Sequence, residues 1–200
     1  MVIAVLGVLS LILIPVVAKI RASAQSTHCM SNLQQIGRAF TLYAEEHRSL
    51  LPAPVDTTAG DLPWYAAIHP YAGTPWRDDL TRMDPVFCCP TWTMDSGNVP
   101  RDGDIGYAMS AALGLASDPH RPVPMTSLQQ PTRTIVLLEL TGTTVPFFPT
   151  AGQSLAEFSG TYSTTYGHGG CDRHADAANY LFADGHVGRH SPAEAANFLK

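Results

Sequence analysis

Histidines and carboxylates gather near the C-terminus, where His168, His174, His186 and His190 stand close to Asp172, Asp176 and Asp184. Imidazole with carboxylate is the usual vocabulary of a zinc site, and it makes His168, His174, Asp184 and His186 the metal-ligand candidates. No pair has the His-Glu-x-x-His spacing of a metalloprotease helix, and no glycine-framed serine nucleophile is present. Catalytic parts are therefore missing, and the expectation is a non-enzyme with no cofactor in which these residues are structural. Asp184 has a turn to make with Gly185. His174 stands just before a strand, within reach of the hairpin or of Glu139. Glu139 ends an otherwise apolar run, and a buried carboxylate needs a partner, for which Arg173 and His174 are the natural choices. The alternative is a Glu139 solvated at the strand end.

The cysteines are Cys29, Cys88, Cys89 and Cys171, and none belongs to a Cys-x-x-Cys pair. An even count in an exported domain favours disulfides. Cys29 falls on the apolar stripe of a helix, so a bridge from it would staple that helix to the rest of the domain. Cys88 and Cys89 are adjacent and point in different directions, which gives them different fates. Buried free thiols are the other reading.

The elements that must position these residues begin with a long helix. The first eighteen residues carry no charge, and Lys19 and Arg21 follow them. A secretory signal has its charges first and a cleavage site after. This stretch instead is about long enough to cross a bilayer core and continues into an amphipathic pattern. Cys29, Leu33, Ile36, Phe40 and Tyr43 recur at helical spacing, with Asn32 and other polar residues filling the remaining surface. Leu50, Leu51 and Pro52 end the helix, because a residue before proline is pushed out of the helical region. Pro15 removes one backbone hydrogen bond and marks a kink, either a tolerated membrane-helix bend or a weak point for assembly. The division is thus residues 1–20, a transmembrane or filament-core half, and residues 21–200, a globular domain that includes the amphipathic half.

Further along, residues 61–71 read as a short helix capped by Asp61 and stopped near Pro70. Residues 134–140 are strongly β-prone and form the best central strand. Residues 178–183 and 186–190 flank Asp184-Gly185, a two-residue type I′ hairpin signal. Ser191-Pro-Ala-Glu194 supplies a capping box and a first-turn proline for a closing helix. The expected fold is α+β, with the long helix packed across a small antiparallel sheet. The net charge is −5, and no basic stripe exists for nucleic acid. The chain has sixteen glycines and sixteen prolines, and most of them fall between residues 52 and 170, which makes that region turn-rich.

Several strings together resemble the type IV pilin-like proteins, specifically bacterial pseudopilin-like subunits. His174, nine residues, then Asp184-Gly185 sits in RHADAANYLFADGHV. HCMSNLQQIGRAFTLYAEEHRSLLP looks like the family's long helix, and LPWYAAIHPYAG, FCCPTW, IGYAMS and TIVLLEL look like its intermediate blocks in order. The resemblance implies a pilin-like fold and a structural subunit of a type II secretion pseudopilus or type IV pilus-like filament. Its implied partners are other pilin-like subunits, the inner membrane and the secretion or pilus assembly machinery. Its implied location is a single pass of the inner membrane with the globular domain in the periplasm. It also implies a leader and a Gly-Phe-Thr-Leu-x-Glu segment ahead of Met1, so the expected translation start lies upstream. A Cys29–Cys89 disulfide follows from the resemblance too, since the family keeps a cysteine beside the helix there. Cys88–Cys171 is the second candidate pairing, which the resemblance does not supply. The alternatives are a membrane-anchored periplasmic binding module and, behind it, an anchored metal-dependent enzyme.

Overall fold

The computed structural model describes residues 2–56, 62–73, 84–91, 106–110, 113, 121–139, 174 and 176–198. Within these the fold is α+β. Helix α1 (Val2–Glu46) runs 45 residues and continues through Pro15. Its lower half buries Cys29, Leu33, Ile36, Ala39, Phe40 and Ala44, the expected stripe, with Tyr43 packed at the margin. It ends earlier than Leu50: His47 donates back to Tyr43, Ser49 donates to the Ala44 carbonyl at 2.8 Å, and Arg48 and Ser49 both adopt positive φ. A left-handed C-terminal cap therefore terminates the helix before the proline can. Leu50 and Leu51 instead become strand β1 (Leu50–Leu51), paired antiparallel with β5 (Val123–Pro124).

Strands β2 (Val55–Asp56) and β3 (Leu62–Pro63) form a second small ladder, and α2 (Trp64–Ile68) follows. Pro63 occupies its N-cap without a side-chain hydrogen bond. Asp61, expected as the cap, lies outside the described residues. Trp64 is fully buried, stacked on Phe40 at 5.6 Å and edge-on to Phe87 at 5.9 Å. These aromatic residues pack the core.

The main sheet has four antiparallel strands in the order β4 (Tyr107–Met109), β6 (Ile135–Glu139), β7 (Ala178–Phe182), β8 (Val187–His190). Every residue of β6 and β7 is buried, because both faces of the sheet are covered. Leu137 and Leu181 face α1, whereas Ile135, Leu138, Tyr180 and Phe182 face the C-terminal turn. A register shift between Ile135 and Leu137 inserts Val136 as a bulge, so Val136 and Leu137 both serve the helix side. Gly37 lets the helix come close: a Cβ there would stand 2.9 Å from Leu181 Cδ1.

The β7–β8 connection is a hairpin, but not the two-residue turn expected. Phe182 donates to the His186 carbonyl, Gly185 donates to Phe182, and only Gly185, at φ 88°, is left-handed, Asp184 having no positive φ. This is a type I turn closed by a left-handed glycine, the three-residue loop. The capping box forms as expected, with Ser191 Oγ accepting from Glu194 N–H at 3.3 Å and Glu194 accepting from Ser191 N–H at 2.9 Å. It starts α3 (Pro192–Ala195), which lays Ala195 and the following Phe198 against the outer face of the sheet.

The single-pass inner-membrane location is overturned. Among the described residues, no helix is long and apolar enough to cross a membrane. Lys19 and Arg21 introduce charge directly after the apolar stretch.

A Gly185→Ala substitution should lower stability by about 1–2 kcal/mol, read as a shifted urea midpoint. Among the described residues other than its two chain neighbours, nothing lies within 4 Å of the new Cβ, so the loss measures backbone strain. An unchanged midpoint would mean that the turn relaxes to a conformation open to any residue.

Candidate functional site

Four elements converge on one buried point at the seam between α1 and the sheet. The helix stripe supplies Cys29, the segment after the tight turn Pro85–Phe87 supplies Cys89, the last residue of β6 is Glu139, and His174 precedes β7. Cys29, Cys89 and Glu139 are 0% exposed and His174 is 4% exposed. Their ligand-capable atoms (Cys29 Sγ, Cys89 Sγ, a Glu139 oxygen and a His174 ring nitrogen) all lie within 4.8 Å of one another.

His174 Nε2 stands 3.0 Å from Glu139 Oε1 and 3.4 Å from Cys89 Sγ. Cys29 Sγ donates to Glu139 Oε1 and also meets the Tyr107 hydroxyl at 3.0 Å. Cys89 Sγ meets the Thr91 hydroxyl at 2.9 Å. The other Glu139 oxygen accepts from Asn179 N–H at 3.0 Å, while the Asn179 side chain donates to Oε1 at 3.3 Å. Arg189 donates to the His174 carbonyl, fixing the residue from behind.

Cys89 is positioned by two residues that the sequence pattern does not advertise. Asn32, one turn beyond Cys29, donates to the Pro85 carbonyl at 3.1 Å and to the Cys88 carbonyl at 2.9 Å. It is buried rather than surface filler, and its place on the same helical face as Cys29 is the signal that marks it. Gly106 donates to the Phe87 carbonyl at 2.9 Å, and a Cβ on it would sit 2.7 Å from Cys89 N and 3.3 Å from Cys88 Cα.

The electrostatics follow from this packing. Hydrogen bonding with Cys29 draws the Cys89 thiol down to about 5 against its burial, with His174 and Thr91 adding to the effect. Burial works against the His174 imidazolium, yet its hydrogen bonds to Cys89 and Glu139, and their charges, raise it to about 9. Burial and the negative neighbours Cys89 and Glu139 hold Cys29 as a neutral thiol. Glu139 is buried too, but His174, Cys29 and the Asn179 amide keep its carboxyl below the usual range. These shifts favour a charged trio of Cys89, His174 and Glu139, with a neutral Cys29 donating into it.

Sequence expectations are met unevenly. The structure brings Cys29 and Cys89 together, but both are free and no disulfide joins them. Cys171 lies outside the described residues, as does Arg173, so the Cys88–Cys171 pairing falls there as well. Glu139 is buried and takes His174 as its partner, not solvent. Of the expected ligand set, only His174 joins the cluster. Asp184 and His186 pair with each other at 2.5 Å on the exposed hairpin turn, and His168 lies outside the described residues.

Gly106→Ala should push the Cys88–Cys89 backbone aside and cost about 1–3 kcal/mol, the usual range for overpacking. Faster labelling of Cys89 by a thiol reagent in the folded protein would accompany the loss; unaltered labelling and stability would refute the close approach. In the reduced, metal-free protein, pH dependence should show a plateau. Cys89, lowered from 9.0 to about 5, stabilises fully above pH 9 and loses that contribution as pH falls through 5. His174, raised from 6.5 to about 9, stabilises fully below pH 6.5 and loses that contribution as pH rises through 9. The two slopes cancel between about 6.5 and 9, so urea midpoints should be level there and fall on the acid side. A midpoint that kept rising from pH 6.5 to 9 would show that His174 is not held protonated.

Compared with family models, with curated proteins and with solved structures, the chain finds no match in any of the three.

Proposed function

We propose that the chain is a structural subunit of a filament of the pilin-like kind, built by bundling its N-terminal helix with the equivalent helices of other subunits. One observation carries this reading. Leu11, Leu13, Ile14, Val16, Val17 and Ile20 are 40–75% exposed on a helix whose lower half is packed into the domain. At about 100° per residue these six point around most of the helix circumference. A single partner helix covers one stripe, so burying all of them takes several neighbours at once. Each large side chain buried is worth roughly 1.5–3 kcal/mol, and together they rival the rigid-body cost of association, estimated at 4–15 kcal/mol.

The globular part supports the same reading. Its distinctive cluster is sealed between helix and sheet, and an enclosed group suits a scaffold better than turnover. The pilin-like resemblance of the helix and of the His174 to Gly185 string points the same way, with a type II secretion pseudopilus or a type IV pilus-like fibre as the assembly. Subunits of the same or of related sequence, and the machinery that assembles them, are the corresponding partners.

Sedimentation in detergent-free buffer tests the proposal. The full chain should associate into large species, and removal of residues 1–22 should leave a monomer. Ile14→Asp with Val17→Asp should lower the association state without altering the melting of the globular part. A full chain that sediments as a monomer, or as a dimer insensitive to these changes, would sink the filament reading.

A further inference from the structure

We propose that Cys29, Cys89, Glu139 and His174 form a closed, four-coordinate Zn²⁺ site that staples the long helix to the sheet. The inference stands on the cluster's own geometry and is independent of the filament reading.

Zinc bonds thiolate sulfur at about 2.3 Å and imidazole or carboxylate at about 2.0–2.2 Å, so tetrahedral donors stand roughly 3.3–3.8 Å apart. The His174–Cys89 separation is 3.4 Å and the His174–Glu139 separation is 3.0 Å. Cys29 Sγ donates to the same Glu139 oxygen, so the thiol proton occupies the place that the ion would take. Four donors from four separate elements thus surround one point at nearly the spacing a small cation requires.

Their chemistry selects the ion. Two sulfurs and an imidazole are soft to borderline ligands, the set that favours zinc over calcium or magnesium, which take oxygen shells. A single carboxylate oxygen completes a tetrahedron. Four protein ligands with 0–4% exposure leave no open position for water or substrate, the mark of a structural rather than a catalytic zinc.

A disulfide accounts for only half of the arrangement. It would consume Cys29 and Cys89 but give no reason for Glu139 and His174 to aim at the same point. Nor does a buried nucleophile, since Cys89 is wholly enclosed. The surrounding residues instead look like the outer shell of a metal site. Asn179 holds both Glu139 oxygens, Thr91 meets Cys89, Tyr107 meets Cys29 and Arg189 grips the His174 backbone. Such partners orient the ligands before the ion arrives. With Nε2 turned to the cluster, the proton of a neutral His174 belongs on Nδ1, the buried ring nitrogen with no partner among the described residues. Two thiolates and a carboxylate against a divalent ion leave one net negative charge, and Arg189 stands on the far side of His174 to offset it.

The full chain, purified under reducing conditions, should bind one Zn²⁺ per chain by elemental analysis. With Co²⁺ in place of zinc it should show the strong visible bands of a four-coordinate ion and a sulfur-to-cobalt charge-transfer band. Cys29→Ser, Cys89→Ser and His174→Gln should each abolish stoichiometric binding, while Cys88→Ser should retain it. Asn179→Ala should weaken affinity about 10–100-fold, as outer-shell losses do. The Co²⁺ spectrum of the unaltered chain does not depend on whether a variant folds. A weak, six-coordinate cobalt spectrum would overturn the proposal, and so would a reduced chain that stays empty in micromolar zinc. Loss of binding in Cys88→Ser with native melting would also overturn it.

Discussion

Glu139 is the constraint around which the rest of this domain is arranged. A carboxylate at the end of an apolar strand, with no exposure, cannot be left without compensation, because burying an unpaired charge costs several kcal/mol. Its compensation comes from every direction. His174 arrives from the chain before β7, the Asn179 amide and side chain from β7 itself, and Cys29 from the helix. Satisfying one group thereby fixes the register of β6 against β7 and the rotation of α1 about its own axis. A quarter turn of the helix would carry Cys29 away and break the packing of Leu33 and Ile36 in the same movement.

Close approach makes that convergence possible. Gly37 brings the helix onto Leu181, and Gly106 brings the Cys88–Cys89 backbone against β4. Asn32 ties the same cysteine segment to the helix through two backbone carbonyls. Apolar packing alone would tolerate a shift of an ångström at this seam, whereas a polar network with short, directional contacts does not. The bulge at Val136 fits the scheme, since it gives the helix side of β6 an extra apolar residue just before the strand ends in its carboxylate.

How much of this was legible in the sequence depends on the range of the signal. Helical spacing marks Cys29, Leu33, Ile36 and Phe40 as one buried stripe, β-propensity marks β6, and the Ser191–Glu194 capping box is visible as a string. Each of these is written within one element. The hairpin was legible as a turn but not in its type, because Asp-Gly fits both the two-residue loop and the three-residue loop that forms. The site was barely legible, since its four members come from four elements and share no motif spacing. Proximity of histidines and aspartates along the chain pointed to His186 and Asp184, which the hairpin holds on the exposed side. Of those histidines and aspartates, His174 lies in the cluster, and its pairing with Glu139 was anticipated because a buried carboxylate demands a partner. Cys89 came by resemblance, as a disulfide partner rather than as a ligand.

The cluster's position along α1 ties the two halves of the molecule together. Among the described residues, Ser26 is the first of the helix to be buried in the domain, and Cys29 follows less than one turn later. If neighbouring subunits hold the outer half, any pull on the globular part reaches it through this point of entry. A helix peels from a sheet most easily from the end that bears the load, one turn at a time, because each turn's contacts break separately. A cross-link at that end forces all of the contacts behind it to break together. In the chain-entropy model, joining Cys29 to Cys89 closes a loop of about sixty residues and stabilises by roughly 4 kcal/mol. A metal does the same without oxidation, and it adds His174 and Glu139 of the sheet to the same knot. A tie placed at Phe40 or Ala44 would leave the turns nearer the load free to unzip; placed at Cys29, it protects every contact beyond it.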